Sequence, residues 1–285
     1  GNGFSMYDEV NFKGSGEMDN GFTVAVSMQL DNNAQQASGN NMDNRSVTIG
    51  MGDMGTVTFS GHGGSSAFSA VDDVMPTAYG EAWDILSTTT TGGVALETAV
   101  AKKGSIGGTT SDNMLSYNNS SLVDGLSVTA SYAPSDSTIV ESVVSYAVAY
   151  TGVDGLTVGY AMGEDNSTAA TLADVDTMYA KYVYGPVTVA YSASERDEAT
   201  AANDREHTAY SLAYTVSENI SVSYGVSEQE QSSTAGSLDE EVTGFTASYT
   251  SGGMTLSGMM VEIDNQGFVA NTKEEAWELG LAFAF

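Results

Sequence analysis

Cysteine is absent from the 285 residues, which removes disulfide frameworks and thiolate metal sites and is compatible with an oxidising compartment. Proline is nearly as scarce: Pro76, Pro134 and Pro186 stand against 32 glycines, a mix that points to one large β architecture over residues 1–285. Positive charge is short as well. Eight Lys plus Arg face 37 Asp plus Glu, a formal charge of -29 that excludes binding to nucleic-acid phosphates and suits cationic partners or metal-bridged anionic lipids. No apolar run approaches the roughly 18 residues of a membrane-spanning helix, and Gly1 opens the sequence without a signal-peptide pattern. Catalytic signatures are missing too. His62 and His207 lie far apart, no nucleophile elbow occurs, and Gly61-His62-Gly63-Gly64 lacks the strand–helix setting of a phosphate loop, so no enzyme is expected.

What is present is period-two alternation. Phe22, Val24, Val26, Met28 and Leu30 occupy one parity, with Thr23, Ala25, Ser27 and Gln29 on the other. The pattern returns in Leu126 to Tyr132, Val144 to Tyr150, Leu156 to Met162, Met178 to Tyr184, Ile220 to Val226 and Met254 to Met260. A transmembrane β-barrel reads this way, because lipid-facing and lumen-facing residues alternate and no long apolar run is needed.

The connectors alternate between two kinds. Tight turns such as Asp19-Asn20-Gly21, Val123-Asp124-Gly125, Val153-Asp154-Gly155, Gly185-Pro186 and Ser251-Gly252-Gly253 take turns with long acidic segments. Those segments run over Asp31–Asp43, Gly61–Asn113, Pro134–Val140, Glu164–Val175, Glu195–Glu206, Ser227–Glu240 and Ile263–Glu274. Short turns at one end and long loops at the other describe an up-and-down antiparallel barrel with periplasmic turns and extracellular loops. Tyr150, Tyr184, Tyr214 and Tyr249 beside the turns, with Tyr132, Tyr160, Tyr191 and Tyr224 further along, suit aromatic girdles.

The chain ends on Trp277, Leu279, Leu281, Phe283 and Phe285, an alternating strand closing on phenylalanine. That strand, with Val10-Asn11-Phe12-Lys13-Gly14-Ser15-Gly16, Asp19-Asn20-Gly21-Phe22, Ser60-Gly61 and Leu115-Ser116-Tyr117, resembles the general diffusion porins of α-proteobacteria, the Rhodobacter type. The resemblance implies an outer-membrane, water-filled channel for passive diffusion of small hydrophilic solutes and ions. It also implies a homotrimer, using Asp31–Asp43 to reach a neighbour, in contact with outer-membrane lipid and lipopolysaccharide. Roughly fifteen strands can be counted, whereas such barrels close with an even number. A sixteenth is therefore expected ahead of Gly1, which makes 61–113 the third external loop, folded into the pore.

Within that loop Asp72, Asp73, Glu81 and Asp84 are the expected constriction carboxylates, set among apolar anchors such as Phe68, Val71 and Trp83. Parity puts Lys13 and Lys181 inside the wall opposite them. Lys102 and Lys103 could add positive charge, or form an exposed basic dipeptide. So few cations against so many carboxylates lead to an expectation of cation selectivity. For each loop carboxylate the alternative is an ordinary solvated side chain. No cofactor is expected. Asp239-Glu240-Glu241 and the segment from Glu195 to Glu206 could take calcium, although no spacing matches a calcium loop. The rival functions are a surface adhesin or structural barrel with a plugged lumen, and an acidic soluble β protein.

Overall fold

The computed structural model describes residues 9–31, 42–81, 83, 113–134, 142–165, 173–199, 204–232 and 239–284. Asp84, Lys102, Lys103, Phe285 and most of the expected loop Asp31–Asp43 lie outside the described residues. The first strands are β1 (Glu9–Glu17), β2 (Thr23–Asp31), β3 (Met42–Gly50), β4 (Thr56–His62), β5 (Met114–Val123), β6 (Leu126–Ala133), β7 (Val143–Val153) and β8 (Leu156–Asp165). They are followed by β9 (Ala173–Tyr184), β10 (Val187–Glu198), β11 (Arg205–Ser217), β12 (Ile220–Gln231), β13 (Glu240–Ser251), β14 (Met254–Asp264) and β15 (Lys273–Phe283).

These fifteen strands form a single sheet in chain order, each antiparallel to its neighbours, and the number matches the count made from the sequence. The described residues hold fifteen strands where sixteen are expected, and among them no ladder joins β15 to β1. Long and short connections alternate along the whole sheet. At the tight end, Gly155 has φ +72° and an added Cβ there would lie 2.6 Å from the Val183 carbonyl oxygen, so the turn needs glycine for both reasons.

The two faces of the sheet differ as the alternation requires. Outward lie Tyr146, Val148, Tyr160, Met162, Met178, Tyr182, Tyr210, Leu212, Tyr224 and Phe245, all large and exposed. Registered pairs such as Tyr146↔Met162 and Val148↔Tyr160 continue this band from strand to strand. Inward lie small or polar residues, among them Ser131, Ser145, Ala147, Ala161, Thr177, Ser192, Ser194 and Ser223, which are buried. That is the reverse of a soluble protein, and it fits a wall whose outside meets hydrocarbon.

Strands extend into two of the expected loops. Glu195 and Arg196 belong to β10 and Arg205 and Glu206 to β11, with Glu195↔Glu206 and Arg196↔Arg205 in register. Likewise β12 runs to Gln231 and β13 starts at Glu240. Beyond the apolar band the outward face of β10 to β13 turns acidic, so the hydrophobic alternation stops while the backbone ladder continues. On these strands the period-two signal ends short of the end of the strand.

The faces make a direct prediction. Arginine in place of outward Val148 should destabilise the barrel by ~2–4 kcal/mol, the scale for a charge in the lipid-facing band, whereas inward Thr157→Arg should cost far less. Urea unfolding in lipid vesicles checks it; equal costs at the two positions would contradict the assignment of faces.

Candidate functional site

The segment after β4 turns into the sheet instead of away from it. A 3-10 turn over Ala67–Ala70 begins at Ser66, whose hydroxyl accepts from the Phe68 N–H. Ala67, Phe68 and Val71 then pack on the inner-wall residues Ala147, Ala161, Ala173, Val175 and Tyr179. Farther along, Met75 and Trp83 pack with Ala190, Ala209, Val242, Met259, Val261 and Ile263. One short segment thus touches inner faces from β7 to β14, which requires the sheet to curl around it.

Polar anchors occur at matched places. Ser131 and Ser145, in register on β6 and β7, have hydroxyls 2.6 Å apart, and the Ala67 N–H donates to both, at 3.3 and 3.1 Å. Ser223 and Thr246, in register on β12 and β13, repeat the device: their hydroxyls are 2.5 Å apart and the Ala78 N–H donates to both, at 3.0 and 3.1 Å. Between them the Ser211 hydroxyl donates to the Pro76 carbonyl. At the far end the Tyr79 hydroxyl donates to a Glu278 carboxylate oxygen on β15. That hydrogen bond, reinforced by burial and the nearby negative charge, pushes the Tyr79 pKa up to about 12, so the hydroxyl remains a donor well into alkaline solution.

Glycines in the wall make room for the loop. Gly225 and Gly244 face each other across β12 and β13, and a Cβ at Gly225 would approach the Trp83 ring to 3.2 Å. The remaining void between loop and wall, lined by Met75, Pro76, Trp83, Ser223, Gly225 and Gly244, is about 10 Å³, about the space for one water.

The expected constriction residues fall in different settings. Glu81 is 5% exposed: one carboxylate oxygen accepts from the Met75 N–H at 3.0 Å and the other from Trp83 Nε1 at 2.7 Å. Its place is inside the loop as an internal tie. Asp72 is half-buried, and Asp73 is exposed with φ +50° at the loop's bend. Lys13 and Lys181 both lie on the inward parity of their strands, at registered pairs Lys13↔Ser27 and Lys181↔Ala190, and neither forms an ion pair with a described residue.

Charged groups that the sequence analysis did not assign to the constriction stand higher on the same wall. Arg196 and Arg205 face inward from β10 and β11, beside His207, which is 1% exposed and meets Trp83 edge-on at 6.4 Å between ring centroids. Arg196 pairs with Glu198 at 2.7 Å, and Glu240 accepts from the Gly267 N–H at 2.6 Å. Parity carries the signal: Ser192 and Ser194 lead to Arg196, and Ser211 and Ala209 lead back to His207 and Arg205. Among the described residues no group of three or more His, Asp or Glu side chains is arranged to hold a metal ion.

Removing both hydroxyls of one anchor leaves a loop N–H inside the wall without an acceptor, at a cost of ~1–3 kcal/mol. Ser131→Ala with Ser145→Ala, and separately Gly225→Leu, should therefore loosen the loop and produce larger, noisier single-channel currents than the parent protein. Unchanged current amplitude and noise in both variants would show that the anchors do not position the loop.

Likeness to known proteins agrees with this geometry. A family model described as Gram-negative porin matches residues 1–237. No curated protein matches the chain. Among solved structures, the anion-selective porin from Comamonas acidovorans superposes with TM-score 0.67 at 14% identity, covering 97% of this chain and 89% of that one. Salmonella typhi OmpF, in complex with daunomycin, has TM-score 0.67 at 16% identity, covering 99% and 93%. A Rhodopseudomonas blastica porin variant has TM-score 0.64 at 17% identity, covering 97% and 89%. A strand-built wall with an apolar outside and a loop seated inside it is thus matched by family over most of its length, and the chain belongs to the Gram-negative porins, non-enzymatic channels of the bacterial outer membrane.

Proposed function

We propose that the chain is a cation-selective diffusion channel for small hydrophilic solutes, narrowed by its third external loop, 61–113. The observation that carries this is the seating of the described part of that loop against the inner wall by two hydroxyl pairs, with Asp72 and Asp73 at its bend. Low-dielectric walls focus the field of such carboxylates on the passage. Asp72, Asp73 and Asp84 supply the negative field in this reading, Lys13 and Lys181 the weaker opposing charge, and Glu81 acts by fixing the loop. The formal charge of -29 supports the same sign. Arg196 adds little against it, because it is compensated by Glu198.

We also propose a homotrimer, with lipopolysaccharide around its outer rim. The outward residues above the apolar band are acidic and face one another across the ladders: Glu195↔Asp176, Glu195↔Glu206, Glu206↔Glu230 and Glu228↔Glu241. Like charges directly opposite destabilise a sheet. Divalent cations between this rim and anionic headgroups would remove that cost.

Two measurements test the reading. Asp72→Asn with Asp73→Asn should shift the bilayer reversal potential in a salt gradient toward zero selectivity, and Lys13→Ala should move it the other way. Both effects should fade as the Debye length falls from about 10 Å at 0.1 M to about 3 Å at 1 M salt; anion preference in the parent protein at low salt would overturn the assignment. The mass of the assembly in mild detergent should be that of three chains, and a monomeric mass would refute the trimer.

A further inference from the structure

The outer face of the wall is not uniform. Ala247 and Gly258 face each other across β13 and β14, and Gly258 faces Leu279 on β15. Around these small residues stand Tyr224, Phe245, Met260 and Trp277, leaving an outward groove of about 780 Å³. Met260 is 68% exposed and Trp277 71%, so the large apolar groups border the groove without filling it. The volume lies within the roughly 300–1,000 Å³ typical of sites for small molecules.

The two ends of the groove differ. Its floor and sides belong to the apolar band, whereas its external end is formed by Glu262 and Glu275, which face each other in register. Next along the strands Asp264 faces Lys273, and the Lys273 ammonium lies 2.5 Å from the Glu262 carboxylate. Three carboxylates therefore share one ammonium at the mouth of an apolar cleft.

We propose that this groove binds one lipid with an amine-bearing, phosphoethanolamine-type headgroup. Its hydrocarbon lies over Gly258 between Phe245, Met260, Trp277 and Leu279. Its amine sits among Glu262, Asp264 and Glu275, and its phosphate meets Lys273. The polarity of the groove selects this occupant: a hydrocarbon chain satisfies the cleft, and the excess negative charge at the mouth favours a headgroup amine. The inference extends the lipid contact proposed above from a metal-bridged rim to a defined site with its own headgroup chemistry.

The experiment is native mass spectrometry of the oligomer in detergent, titrated with phosphatidylethanolamine or phosphatidylglycerol. One phosphatidylethanolamine per chain is expected to persist, with a preference over phosphatidylglycerol of about threefold, the scale of an exposed ion pair. A Cβ at Gly258 would meet only the Glu278 carbonyl oxygen at 3.5 Å and Leu279 Cδ1 at 3.6 Å, ordinary contacts, so Gly258→Leu can enter the groove without disturbing the strand. Gly258→Leu should abolish retention, and Glu275→Gln should remove the headgroup preference while leaving retention. Unchanged retention in Gly258→Leu, equal retention of the two lipids by the parent, or dissociation of the oligomer in Gly258→Leu would each overturn the site, the last by showing a second copy in the groove. Should Gly258→Leu fail to fold, the headgroup preference of the parent against Glu275→Gln decides alone. Single-channel conductance of the same samples keeps this apart from the channel reading, because neither substitution faces the lumen.

Discussion

Hydrocarbon offers a backbone no partner for its N–H and C=O groups, and every other feature of this protein follows from that constraint. The chain satisfies it by pairing each strand with the next along the whole sheet. Pairing of this kind fixes period-two alternation, because each residue must face either lipid or lumen. It also fixes the connectors, since adjacent antiparallel strands joined at the membrane's inner side need only a tight turn. Outward Tyr146, Val148 and Phe245, and inward Ser131, Ser145 and Thr177, are two halves of one solution.

The same constraint acts again inside the wall, where a loop brings its own backbone groups against a surface whose ladders are complete. The wall answers with side chains. Serine and threonine are inward where the loop passes, and each registered hydroxyl pair takes one loop N–H. Pro76 contributes no N–H at all, and its carbonyl is met by Ser211. Within the loop, Glu81 accepts from a backbone and an indole donor, so a residue type associated with field and charge acts here as a brace.

Much of this was legible in the sequence and some was not, for identifiable reasons. Strand positions, face assignments and the order of turns and loops follow from alternation and Asp/Asn/Gly chemistry, as in Val153-Asp154-Gly155 before β8. Those signals arise from local rules applied residue by residue. The inward position of Lys13 and Lys181 was legible for the same reason. Arg196, Arg205 and the inward place of His207 were missed because hydrophobicity stops alternating above the apolar band while the strand goes on; parity counted through Ser192 and Ser194, and back through Ser211 and Ala209, would have found them. The tie made by Glu81 was not legible, because it depends on where Met75 and Trp83 lie after the loop has docked.

The paired hydroxyl anchors carry a consequence for how the pore can behave. Each accepts a single N–H at one residue, Ala67 at one site and Ala78 at the other, with Trp83 entering a gap that Gly225 leaves open. A loop displaced by one residue would move the Ala67 and Ala78 N–H groups off their hydroxyl pairs and the indole off the recess at Gly225. Intermediate seatings are therefore poor ones, and the loop behaves as a seated or unseated body. The expected form of open-channel fluctuation is therefore discrete current levels, with no continuous drift in aperture.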